Sequence, residues 1–306
     1  MELTILGSGS ATPRLDRVPT AHLIEENNHY YLIDCGEGTQ FQFLKHKLKL
    51  SKIKAVFISH MHGDHFLGLP GLLSTMHLMG RTQPVYLFGP KGLKELIDLH
   101  FNLGNTWLSY EIVYKETHQT NNELVFSDDL FEVYSFPLNH RVICNGYIFK
   151  QVAKPRNLIN ELIPFYNFSH QELKELKKGN DIKRLDGLIV INEKVTTASK
   201  RPISYAFCSD TAPFNSLVSY IEGVDWLYHE ATFLKDLKSK AIKTFHSTTS
   251  DAAQNAKDAQ VKNLIIGHYS SRYDEISDFK LEAEQIFKPV YLAYDGLKLN
   301  LENQEQ

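Results

Sequence analysis

Four metal-ligand side chains fall in one short loop, Ser59-His60-Met61-His62-Gly63-Asp64-His65, and no other stretch constrains the fold as strongly. The loop directly follows Lys54-Ala55-Val56-Phe57-Ile58, an apolar run that reads as a buried strand. It directly precedes Phe66-Leu67-Gly68-Leu69-Pro70-Gly71-Leu72-Leu73, which leads into a helix. Neutral imidazole suits zinc, and carboxylate suits zinc and harder divalent ions. His60 and His62 lie two apart, so in extended backbone they share a heading. Gly63 lets the chain turn, and Asp64 and His65 leave on another heading. One pair can serve one metal and the other pair a second metal nearby. As ordinary loop residues, such a set arises by chance on the order of once in 10⁵ windows.

A chain of 306 residues with 42% hydrophobic residues is globular and long enough for one large α/β core. No run of about 18 apolar residues exists, so no transmembrane helix is expected. Met1-Glu2-Leu3-Thr4-Ile5-Leu6 reads as a first strand rather than a signal peptide. Cys35, Cys144 and Cys208 make no disulfide framework and point to a reducing, cytoplasmic setting, each packing as a small apolar residue. A net charge of −3 argues against nucleic-acid binding through overall charge, leaving local patches to decide.

Strand-like runs recur along the chain, and they end in chemistry. Tyr30 to Ile33 runs into Asp34, which either braces a ligating histidine or caps the following helix. Phe131 to Asn139 ends on His140, a candidate ligand because it repeats the strand-end position of His60. Ile203 to Ser209 ends on Asp210, whose two carboxylate oxygens can each take one ion. Trp226-Leu227-Tyr228 runs into His229-Glu230, and Leu264 to Gly267 into His268. His77, His100 and His118 have no ligand neighbours and read as structural, as does His229. In open α/β sheets ligands gather at the carboxyl ends of strands, so one site is being assembled from the whole chain. Alternation of strands and helices without a linker predicts one domain over 1–306.

Residues 153–178 interrupt that alternation. From 150 to 184 eight Lys/Arg stand against four Asp/Glu, a local +4 that leaves −7 for the remainder. Aromatics Phe165, Tyr166 and Phe168 are interleaved. Two readings stand, a nucleic-acid contact and a solvated helical surface.

The ligand set His60-x-His62-x-Asp64-His65, His140, Asp210 and His268 resembles that of the metallo-β-lactamase superfamily. His229-Glu230-Ala231-Thr232, His246-Ser247-Thr248 and Gly267-His268-Tyr269-Ser270-Ser271-Arg272-Tyr273 narrow it, and the chain resembles the short form of the ribonuclease Z family. That resemblance implies a four-layer αβ/βα sandwich, two zinc ions per subunit, a homodimer and precursor tRNA as substrate. It implies that 153–178 is an inserted, flexible arm gripping the tRNA body, although Ile163-Pro164-Phe165-Tyr166-Asn167 stands where the family's arm carries a Gly-Pro pair.

On that basis His60, His62 and His140 go to one zinc, Asp64, His65 and His268 to the other, and Asp210 bridges. Asp64 also takes the proton of the attacking hydroxide. His246 becomes the acid for the leaving 3′ oxygen, oriented by Glu230. The expected activity is removal of the 3′ trailer from precursor tRNA, leaving a 3′-hydroxyl and a trailer 5′-phosphate. The alternative is a small-molecule zinc phosphodiesterase on the same scaffold. A β-lactamase-like hydrolase needs neither the basic stretch nor the His-Glu pair. An RNA-binding module with structural zinc needs only a closed four-ligand set.

Overall fold

The strand-like runs carry two apolar sets rather than one apolar and one polar set. Tyr31 and Ile33 pack in one cluster while Leu32 between them packs in another, and Phe57 and Val56 divide likewise. Ile265 faces one cluster, and Leu264 and Ile266 face a third. Strands apolar on both faces must be covered on both faces. In the computed structural model, which describes residues 1–302, they are.

The first sheet takes β1 (Glu2–Gly7), β2 (Ala21–Glu26), β3 (His29–Ile33), β4 (Ile53–Phe57), β5 (Val85–Gly89) and β6 (Ile112–Glu116). The second takes β7 (Glu123–Ser127), β8 (Phe131–Pro137), β9 (Asn145–Gln151), β10 (Ser204–Cys208), β11 (Trp226–Glu230), β12 (Asn263–Gly267) and β13 (Val290–Leu292). The last strand, β14 (Lys298–Asn300), returns to pair with β1, so both sheets have seven strands. Each is mixed: β3 through β6 run parallel, as do β10 through β13, while β1–β2–β3 and β9–β10 are antiparallel.

Between the sheets lies an aromatic core in which Phe57 stacks on Phe88 at 4.7 Å and Phe207 on Tyr228 at 5.0 Å. Helices α1 (Thr39–Lys45), α2 (Leu69–Leu78) and α3 (Leu93–Leu103) supply the cluster on the outer face of the first sheet. On the second sheet, α4 (Leu217–Ile221), α6 (Thr249–Asp258) and α7 (Ser277–Ala283) do the same, and α5 (Lys238–Thr244) precedes α6. Helix, sheet, sheet, helix is the expected four-layer sandwich. The alanines of α6, Ala252, Ala253 and Ala256, are fully buried and let it lie close on the sheet. No helix among the described residues is long and apolar enough to cross a membrane.

Contacts divide the chain into Met1–Lys150 with Ile203 onward, and a small second unit, Gln151–Pro202. The stretch 153–178 lies inside that second unit. The unit has its own core of Leu176, Ile182, Val190 and Val195. Its helix His170–Lys178 starts at a Ser169–Glu172 capping box and stops at Gly179, whose φ of 97° suits glycine. Arg184 pairs with Glu172 at 2.7 Å, closing the helix start onto the hairpin.

Candidate active site

All the strand-end residues come together. The Ser59–His65 loop follows β4, His140 follows β8, Asp210 follows β10, Glu230 closes β11 and His268 follows β12. Asp34 and His268 adopt left-handed backbone (φ 57° and 62°) directly after β3 and β12, which costs on the order of 1 kcal/mol each. Gly63, by contrast, needs no left-handed backbone. It needs room, since a Cβ there would come within 2.7 Å of the Leu67 side chain.

Two groups of donors that share Asp210 form, and a third, Glu230 with His246 and His268, lies beside them. His60, His62, His140 and Asp210 converge in one, and Asp64, His65, His268 and Asp210 in the other. The hydrogen bonds on the far sides of the rings decide which nitrogen faces inward. His60 Nδ1 bonds Ser59 Oγ at 3.0 Å and His65 Nδ1 donates to Asp34 Oδ2 at 2.7 Å. His140 Nδ1 donates to the Phe245 carbonyl at 2.9 Å, and His268 Nδ1 bonds Thr232 Oγ1 at 2.8 Å. All four therefore present Nε2. His62 instead presents Nδ1, 3.1 Å from Nε2 of both His60 and His140.

Asp210 belongs to both groups, one oxygen to each. Its Oδ2 lies 3.7 Å from His60 Nε2 and 3.8 Å from His140 Nε2. Its Oδ1 lies 3.4 Å from His65 Nε2 and 3.2 Å from His268 Nε2. Burial opposes the charge on Asp210, but the surrounding histidines outweigh it and hold the carboxyl well below its ordinary range. Asp64 is held low in the same way, chiefly by His65. Burial lowers His60, with His65 adding to it, so His60 is neutral, the form that binds metal. Two buried atoms at the centre, His65 Nε2 and Asp210 Oδ1, have no hydrogen-bond partner among the described residues. Buried polar atoms are rarely left so. A donor set of imidazoles and carboxylates with orphaned atoms aimed inward fits metal ions.

Beside the metal groups sits a His–Glu pair. Glu230 is fully buried, yet it accepts from the Thr211 and Ser247 amides on Oε1 and from the Thr232 amide and hydroxyl on Oε2. His246 Nδ1 donates to Glu230 Oε1 at 2.9 Å. Burial works against a charged His246, but the Glu230 and Asp210 carboxylates prevail and raise its imidazole to about 9. Thr248 then caps α6 in a capping box with Asp251, so the turn carrying His246 is fixed at both ends. His229 points elsewhere: its Nδ1 donates to the Glu230 carbonyl and its Nε2 accepts from Asn255 on α6.

Of the two readings of Asp34, bracing holds. Besides His65 it accepts the Ser59 amide and hydroxyl, while α1 begins after Gly38 with no side-chain cap. An open cleft of about 460 Å³ lies over the site, lined by His62, Asp64, Asp210, His246 and His268. Arg141, Phe233, Lys240 and Arg272 also line it. Arg141, Phe233 and Lys240 escape a reading by ligand type, since a lone cation or aromatic carries no spacing signal, whereas Arg272 stands in the Gly267–Tyr273 stretch. Thr232 does have one, its place in His-Glu-Ala-Thr.

A family model for the anti-Pycsar protein Apyc1 matches residues 1–150. Ribonuclease Z of Parabacteroides distasonis is 41% identical over 300 residues, covering 98% of this chain and 99% of that protein. Ribonuclease Z of Cytophaga hutchinsonii is 44% identical over 296 residues, covering 96% and 94%. Among solved structures, human tRNase Z, short form, superposes with a TM-score of 0.72 at 28% identity, covering 98% and 99%. The metallo-β-lactamase fold protein YhfI of Bacillus subtilis has a TM-score of 0.69 at 16% identity, covering 98% of this chain and 99% of its own, a likeness of fold.

Proposed function

This chain belongs to the ribonuclease Z family, and from that premise we propose that the cleft over Asp210 is where the 3′ trailer is cut from precursor tRNA. The protein is an endoribonuclease of tRNA 3′ processing, and its His/Asp cluster is a metal site. We assign it two zinc ions. The observation that carries this is Asp210, which turns one oxygen to each donor group. His60, His62 and His140 would hold one ion with Oδ2, and Asp64, His65 and His268 the other with Oδ1. When bound, the two ions polarise the phosphate and bring the pKa of a water to about 7.

The chain's own groups do the rest. Asp64 lines the cleft, and its place there is what assigns it the proton of the attacking water. The water oxygen bonds to phosphorus and the bond from phosphorus to the 3′ oxygen breaks. His246, with Nδ1 committed to Glu230, delivers the proton on Nε2 to that leaving oxygen. Glu230 orients the ring and stabilises its charged form. The products are a tRNA 3′-hydroxyl and a trailer with a 5′-phosphate.

The unit Gln151–Pro202 is assigned to holding the tRNA body, on the strength of its basic charge and exposed Phe165. A homodimer is assigned through the outer face of α1 and α2. These helices meet where the Thr75 hydroxyl donates to Gln40 Oε1. Phe41, Leu44, Leu67, Leu78 and Met79, on or beside these two helices, are all exposed, and exposed apolar side chains gathered in one region mark interaction surfaces. Three buried free thiols suit a cytoplasmic setting.

Mapping both ends of the products from precursor tRNAs, with and without encoded CCA, tests the reading. The expected ends are a 3′-hydroxyl and a 5′-phosphate, lost on chelation and restored by zinc. A 2′,3′-cyclic phosphate would show that the ribose hydroxyl attacks instead of water.

A further inference from the structure

Arg141, Lys240 and Arg272 are exposed cations on the cleft, and none has a carboxylate within ion-pair distance among the described residues. Unpaired cations pointed at one cleft repel one another in the free protein. A polyanion is what relieves them.

Two of the three are tied to one ring. The Lys240 ammonium lies 5.8 Å from the centroid of Phe233 and the Arg272 guanidinium 5.2 Å, both within cation–π range. The ring is rigidly placed. Phe233 is buried, its carbonyl accepts the Thr249 amide and hydroxyl, and its backbone bridges to Thr248. Arg272 Nε is further steadied by Ser270 Oγ at 3.0 Å. Phe233 also meets the His246 ring edge-on, with centroids 6.2 Å apart.

We propose that Phe233 is a positioning residue that holds Lys240 and Arg272 as a phosphate clamp for the strand on the tRNA side of the cut. This rests on the reading of His246 as the acid. His246 protonates the 3′ oxygen of the last tRNA nucleotide, so that nucleotide lies on the His246 side of the scissile phosphate. Phe233 packs against His246 and brings its two cations to the same side. They meet the phosphates immediately 5′ of the scissile one, and the trailer leaves by the other side.

The test uses the whole enzyme with zinc and a precursor tRNA, in wild type, Lys240→Ala and Phe233→Leu, the last keeping bulk while removing the ring's charge distribution. Lys240→Ala should raise KM about tenfold, a lost contact of about 1.4 kcal/mol. Its salt slope should become shallower by about 0.7 for one lost phosphate on a single strand. Phe233→Leu should raise KM about three- to fivefold, the loss expected for a cation–π pair, with kcat falling less than KM rises. Substrates with one neutral methylphosphonate then place the clamp. With the neutral linkage one or two positions 5′ of the cut, wild type should weaken and Lys240→Ala add nothing. If instead the Lys240→Ala effect vanishes only for linkages 3′ of the cut, the clamp grips the trailer and the proposal is wrong. If Phe233→Leu lowers kcat and zinc content together, its role is structural and the proposal fails. Should wild type not cut precursor tRNA at all, the underlying reading falls first, and that result is distinct from a neutral Lys240→Ala in an active enzyme.

Discussion

Replacing Glu230 by Gln should move the alkaline limb of the pH–rate profile to lower pH. The Glu230 and Asp210 carboxylates lift His246 to about 9 against burial. That is about 2.5 units above the ordinary histidine value, or about 3 kcal/mol in favour of the charged ring. Removing the Glu230 charge leaves burial, which lowers the ring, and Asp210 at 4.0 Å, which raises it. The ring should fall well below its wild-type value, because one carboxylate instead of two then opposes burial. The sign follows from the role: an acid must start protonated, and raising the pH through its pKa removes the proton. Between the two limbs wild type stays largely protonated while the variant loses its proton about tenfold per pH unit, so kcat there should fall on the order of 10-fold or more. Below the variant's limb both rings are protonated and the deficit should all but vanish. Bound cations lower the ring in both proteins alike, so the separation of the two limbs is the quantity to read.

Glu230→Gln also turns one amide NH₂ toward backbone donors now served by a carboxylate oxygen, which costs about 1–3 kcal/mol of stability. Linkage adds to this. A histidine raised on folding stabilises fully below about pH 6.5, and that contribution is lost as pH rises through about 9. Thermal melts and zinc content at each pH separate unfolding from lost acid. Coincident alkaline limbs in folded, zinc-loaded wild type and Glu230→Gln would refute the reasoning.

Elemental analysis should find about two zinc ions per chain, and Asp210→Ala should lose both ions and activity together because each oxygen faces one donor group. Two retained ions with normal turnover would remove the bridge. Wild type should sediment as the proposed dimer and Phe41→Glu combined with Leu44→Glu as a monomer; a monomeric wild type would refute the dimer, and an unchanged dimer mass in the variant would move the interface elsewhere. Replacing Gln151–Pro202 by a short glycine linker is sterically simple, because Lys150 and Ser204 already lie opposite each other in register. Precursor tRNA binding should weaken and its salt dependence flatten, while a small phosphodiester is still hydrolysed. Intact tRNA binding with an unchanged salt slope would make the unit a structural insert.

The ligand framework was legible because it is one-dimensional. Strands ending in His60, His140, Asp210 and His268 can be read from runs and their last residues, and parallel pairing of β10, β11 and β12 gathers the ends that carry Asp210 and His268. Layering was legible for a similar reason, since runs such as Leu264–Ile266 offer apolar side chains to both faces. What escaped depends on geometry across the chain. Asp34 had two equal accounts until the start of α1 after Gly38 put it out of capping range. The tautomers of His140 and His268 are set by the Phe245 carbonyl and the Thr232 hydroxyl, and no spacing announces either. Lys240 and Arg272 look like any surface cations until one ring is seen to hold both.

The His-Glu-Ala-Thr and His-Ser-Thr stretches were recognisable separately, but they form a single object. Glu230 is an anion sealed between them, and its donors come from Thr211 after β10, Thr232 after β11, and His246 with Ser247 before α6. A buried carboxylate without such donors would cost several kcal/mol. With them it ties two neighbouring strand ends to the turn that carries His246. Thr232 extends the tie to His268 through one hydroxyl, which donates to Glu230 Oε2 and accepts from His268 Nδ1. The orientations of His268 and His246 and the closure of the strand ends therefore share one set of hydrogen bonds. A change at Glu230 or Thr232 should appear in turnover, in metal retention and in melting temperature at once, whereas a change at Lys240 on the exposed rim should appear in substrate binding alone.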